Sequence, residues 1–106
     1  MLLTGRVESA QVGLFYDSID LVVVDREVLT LRGERPQYHV KLVGGWPGLP
    51  ELRALQKEVK AGRKSQEELL QMAQRLKLPE QDRLVSLVVV DKRAKGFLQL
   101  VAELAK

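Results

Sequence analysis

Apolar and polar positions change period along this chain, and the change divides it in two. Through the first 43 residues, short apolar runs are parted by turn-forming clusters. Val12 to Tyr16, Ile19 to Val24, Val28 to Arg32 and Gln37 to Val43 are separated by Asp17-Ser18, Asp25-Arg26-Glu27 and Gly33-Glu34-Arg35-Pro36. Runs of this length between such clusters predict the strands of an antiparallel meander. The fourth run has the cleanest alternation, with Tyr38, Val40 and Leu42 on one face and Gln37, His39 and Lys41 on the other. Leu3 to Val7 suits a further leading strand. Val7, Ala10, Leu14 and Phe15 also fit helical spacing, but Gly13 and the run Leu14-Phe15-Tyr16 favour strand.

The pentapeptide Leu-Val-Val-Val-Asp occurs at Leu21 to Asp25 and again at Leu87 to Asp91. An unbroken apolar run rich in β-branched residues is how a strand buried on both faces reads. The two runs therefore predict neighbouring central strands. Their flanks differ, since the first leads to another strand and the second to a helical pattern, so the echo reads as convergent composition.

The strand period ends at Gly44-Gly45-Trp46-Pro47-Gly48, a hinge. Pro50 suits a first helical position, Glu51 complements the helix dipole, and Leu52, Leu55 and Val59 share a face as far as Gly62. Ser65 and Glu68 then form a capping box ahead of Leu69, Leu70, Ala73 and Leu76, with Arg75 and Lys77 in the last turn and Pro79 as a stop. The short link Gly62-Arg63-Lys64 makes an antiparallel helical hairpin. A strand over Leu84 to Val90 follows, then a helix carrying Phe97, Leu98, Val101, Leu104 and Ala105. The predicted fold is one α+β domain over residues 1–106: strand-rich 1–43, hinge 44–48, helical hairpin 49–78 and strand-helix unit 84–105. Its order β-β-β-β-α-α-β-α gives a two-layer sandwich, a mainly antiparallel sheet with three helices on one face. The other face then needs a cover, which a homodimer supplies.

Composition removes much chemistry. The chain has 106 residues, no Cys and one His, so disulfides, thiolate zinc sites and multi-histidine metal centres are excluded. No cofactor or metal is expected. The absence of Asn and Cys beside many charged residues matches the usage of heat-adapted proteins. No apolar stretch is long enough to span a bilayer, and Met1-Leu2-Leu3-Thr4-Gly5 lacks the features of a secretory signal, so a cytoplasmic location is expected. Net charge is +3, unevenly placed: residues 1–50 carry five Lys/Arg against six Asp/Glu, residues 51–106 twelve against eight.

Four candidate sites stand out. Lys92, Arg93, Lys95 and Gly96 lie between a strand and the predicted last helix, where backbone N–H groups and cations together hold phosphate or carboxylate. Lys57, Lys60, Arg63 and Lys64, with Arg53 one turn earlier, form a basic rim on the helical hairpin suited to nucleic-acid phosphates. Trp46 in the hinge is an interaction-loop candidate that competes with a role as a core plug. His39 with Asp17, Asp20, Asp25 or Asp91 offers an acid–base pair or a metal site.

Two resemblances touch these segments. Val88-Val89-Val90-Asp91 and Gly96-Phe97-Leu98 resemble the outline of the amino-acid-binding ACT regulatory domains, a strand ending in Asp that leads through Gly to an apolar helix. The loop here is longer and lacks the Pro of that pattern. Leu52 to Lys57 with Ser65 to Leu69 resembles the first two helices of phage-repressor helix-turn-helix proteins, but a strand-like segment stands where the recognition helix belongs. The leading expectation is a non-enzymatic interaction module, homodimeric through its sheet, binding a protein partner or small anion. A nucleic-acid-binding protein is the alternative, and an enzyme using His39 or a strand-end Asp the third.

Overall fold

The computed structural model describes residues 2–26, 31–95 and 97–105, and the stretch 91–99 by its backbone alone. The described residues form β1 (Leu2–Val12), β2 (Ile19–Asp25), β3 (Gln37–Gly44), α1 (Leu49–Lys60), α2 (Gln66–Arg75), β4 (Leu84–Lys95) and β5 (Phe97–Leu104). The strands close into a barrel in the order β1-β2-β3-β5-β4, with β4 returning to β1. All neighbours are antiparallel except β3 and β5, which run parallel with Val40 opposite Leu100.

Register fixes the two ends. Val12 pairs with Ile19, and Gly44 leads through residues 45–48 into α1, so the β1–β2 turn and the helices share one end of the barrel. Val24 pairs with Gln37 and Lys95 with Phe97, which puts the end of β2, the start of β3 and the joined ends of β4 and β5 at the other end. Gly5 lets β1 coil closely against β2. A Cβ there would stand 2.3 Å from the Val24 carbonyl oxygen, nearer than any side chain permits.

Inward residues of every strand fill the barrel: Val7, Leu21, Val23, Val40, Leu42, Val85, Leu87, Leu100 and Ala102 are all buried. The helices close the end of this core with Leu49, Leu52, Leu69 and Ala73. Each helix starts where its sequence directs. Pro50 occupies the first turn of α1, and the Ser65 hydroxyl accepts from the Glu68 N–H at 3.3 Å to cap α2. Neither is long and apolar enough to cross a membrane.

The two-layer sandwich with three helices on one face is overturned. The expected last helix is β5, in which Leu100 and Ala102 point inward with a period of two. Leu98, Leu100, Ala102 and Leu104 satisfied that period as well as others satisfied a helical one, and pairing with both β3 and β4 decides between them. The twin runs are not neighbours either, because β1 lies between β2 and β4. Nor are they buried on both faces. Leu21, Val23 and Leu87 point inward, whereas Val22 and Val24 are half-buried and Val88 and Val90 exposed. A closed barrel has one dry face, its interior, so the twin runs need no second subunit to cover them. Of the expected strand Val12 to Tyr16 only Val12 is extended, residues 14–18 being turn and bend. The expected strand Val28 to Arg32 lies largely outside the described residues, and Leu31 and Arg32 are in a turn.

Candidate functional site

The outer face of β2 and β3 carries a hollow of about 280 Å³, lined by Ser9, Gln11, Asp20, Leu21, Val22, His39 and Val40. His39 is opposite Val22 in the ladder, and Lys41 opposite Asp20. The alternation that sends Val40 and Leu42 inward is what sends His39 and Lys41 outward. Burial pushes the Asp20 carboxyl above its ordinary value; Lys41 opposes that shift and Asp17 adds to it. The Lys41 ammonium stands 3.9 Å from Oδ1 of Asp17, a buried oxygen that accepts no hydrogen bond from the described residues.

A second hollow of about 180 Å³ adjoins the first through Asp20 and is lined by Gly13, Leu14, Phe15, Asp17, Ser18 and Lys41. It lies under the β1–β2 turn, which is tightly held. Gly13 N–H donates to the Ser18 carbonyl and Tyr16 N–H to that of Gly13, both at 2.9 Å, and Arg53 Nη1 donates to the Asp17 carbonyl at 2.8 Å. Tyr16 takes a left-handed φ of 57°. The turn so fixed holds Leu14 and Phe15 out in solvent, 83% and 68% exposed. This feature escapes sequence reasoning, which takes Leu14 to Tyr16 for a core strand. The signal available was the turn pair Asp17-Ser18 directly beyond.

The structure scatters the sequence-selected cations. Lys92, Arg93 and Lys95 stand within β4, opposite Leu100, Gln99 and Phe97, and Gly96 lies outside the described residues. The described residues on both sides of position 96 are strand, so Lys92, Arg93 and Lys95 do not stand at a helix N-terminus. Arg53 is half-buried and committed to the Asp17 carbonyl. Arg63 is paired with Glu58 at 2.6 Å. Lys57 and Lys60 are exposed on the last turn of α1, and Lys64 borders a hollow with Leu55, Met72 and Arg75. Trp46 is 6% exposed; its indole N–H donates to the Lys77 carbonyl at 2.6 Å and its ring lies 5.0 Å from the Arg83 guanidinium. His39 shares its hollow with Asp20, but among the described residues no three His, Asp or Glu side chains come together as metal ligands.

No protein-family model, curated protein or solved structure matches this chain.

Proposed function

We propose that the protein binds single-stranded nucleic acid across the outer face of β2 and β3. The observation that carries this reading is the exposed Phe15, held by a pinned turn at the mouth of a groove that continues past Lys41 to His39. An exposed aromatic on a rigid mount is a stacking platform, and base–aromatic stacking is sequence-tolerant because every base has a π-face. Five-stranded Greek-key barrels with this pattern of pairing, the OB class, use the β2–β3 face and the β1–β2 and β4–β5 loops to hold oligonucleotides and oligosaccharides. Fold likeness alone carries no function; at this face the exposed Phe15 and Lys41, which stands 3.9 Å from Asp17, supply the chemistry. The basic rim of the helical hairpin contributes little in this reading, since Arg53 and Arg63 are already engaged.

Fluorescence anisotropy with a labelled oligothymidine at low salt tests it. Phe15→Ala is expected to weaken binding by the value of one stacked base, about 1–3 kcal/mol or roughly 5- to 150-fold, while Phe15→Trp retains it. A wild-type protein that leaves the anisotropy unchanged removes the reading.

Self-association is a second reading, supported by a different observation. Leu2, Leu84, Val88 and Val90 are all exposed on the adjacent strands β1 and β4, Leu2 directly opposite Val88. An apolar strip on the outside of a closed barrel can be covered only face to face. Light scattering across a hundredfold concentration range is expected to show dimers that Val88→Glu abolishes. Monomers throughout would eliminate it.

A further inference from the structure

Three of the five Lys and Arg residues in the acidic first half of the chain meet in one place. Arg6, Arg26 and Arg35 line a hollow of about 230 Å³ together with Asp25 and Leu84. Twenty residues separate the first two arginines and nine the last two, so the convergence is a product of the fold. Arg6 stands on β1 between Val24 of β2 and Leu84 of β4. Arg26 follows β2 directly, and its N–H donates to the Thr4 carbonyl at 3.2 Å, which ties that backbone to β1. Arg35 is brought in from the next segment: Asp25 N–H donates to the Pro36 carbonyl at 2.9 Å, and Nη1 of Arg35 donates to the carbonyls of Asp25 and Arg26. The hollow therefore rests on three chain segments held by backbone hydrogen bonds.

Among the described lining residues, three guanidiniums stand beside one carboxylate, the largely buried Asp25; Nη1 of Arg35 serves the backbone carbonyls, which leaves the other N–H groups of its fork. Asp82 lies 3.8 Å from Arg6, but both side chains are well exposed and such a pair contributes little. No lysine takes part. Guanidinium forks match the paired oxygens of phosphate in a way that an ammonium does not, and like charges gathered in one hollow call for an anion between them.

We propose that Arg6, Arg26 and Arg35 form a binding site for a phosphoryl group. The site is separate from the Phe15 turn and stands whether or not the groove takes nucleic acid. Two sources supply the same chemistry, a backbone phosphate of a strand crossing the barrel or a free phosphate ester.

The test combines a calorimetric titration with inorganic phosphate and the salt dependence of oligothymidine binding, on wild type, Arg6→Gln and Arg26→Gln. Arg35→Lys serves as a third variant, because Arg35 also braces the backbone, and thermal melts confirm that each variant folds. Saturable phosphate binding that each Gln variant weakens by roughly tenfold or more supports the site. If the variants also lower the slope of log K against log salt by about 0.7, the source is a nucleic-acid backbone; an unchanged slope assigns the site to free phosphate esters. Phosphate binding without any oligonucleotide binding sustains this pocket while removing the groove. Undiminished phosphate binding in folded Arg6→Gln and Arg26→Gln overturns the proposal, as does a wild type that takes no phosphate and variants that keep the full salt slope.

Discussion

Asp20 lies where the two hollows of the β2–β3 face meet, and its raised titration carries a definite sign. Burial, its largest cause, makes the folded chain hold this proton more tightly than the unfolded chain. The resulting stabilisation is complete below the ordinary value of 3.8 and is lost as pH rises through the folded value. Asp20→Asn is therefore expected to melt higher than wild type at neutral pH, with the gap narrowing as pH is lowered toward 4, as paired thermal scans would show. The same substitution removes a negative charge beside Lys41 and should tighten oligonucleotide binding at neutral pH. Trp46 makes the opposite kind of contact, a buried indole N–H on the Lys77 carbonyl. Trp46→Phe keeps a ring but strands that carbonyl, and a urea titration should report a loss of about 1–3 kcal/mol. Residue by residue, the face each strand residue occupies is legible where the alternation is strict, as at His39 and Lys41. The Arg6, Arg26 and Arg35 hollow is not legible, because nothing local brings positions 6, 26 and 35 together.

Helices and strands differed in how plainly the sequence declared them. The start of α2 is written in four residues: the Ser65 hydroxyl satisfies the Glu68 N–H, and Ala at position 65 leaves that donor open. Ser65→Ala should lower stability by about 1 kcal/mol, read from the urea midpoint, and Ser65→Asp should restore it. Strand β5 had no such local marker. Its apolar residues fit both a helix and a strand, and the choice fell to partners 60 residues upstream in β3 and immediately upstream in β4. Gly45 shows the same dependence on partners. Its φ of 81° lets the chain leave β3 for the helices, and a Cβ there would approach Leu104 of β5 to 2.8 Å, a requirement visible only once β5 lies beside β3.

For the molecule as a whole, sequence patterns show which residues share a face but not which strands are neighbours. Closure of β4 onto β1 joins Leu2 to Val88, a pairing that spans most of the chain, and no periodicity encodes it. Closure also changes what an apolar run means: in each Leu-Val-Val-Val-Asp segment, alternate residues are of unequal worth. Leu87 is fully buried while Val88 is 42% exposed. Leu87→Ala should cost about 2–5 kcal/mol in chemical denaturation, and Val88→Ala well under 1. Equal losses at the two positions would contradict a single dry interior.

The order of assembly follows from the place of β5 between β3 and β4. During synthesis, β1 to β4 emerge from the ribosome before the strand that joins β3 to β4. Until residues 97–104 are available, β3 and β4 each display an unsatisfied row of backbone donors and acceptors, an invitation to foreign strands. Nascent chains stalled short of that segment should be the aggregation-prone species, and their rescue should depend on supplying the missing strand as a separate peptide.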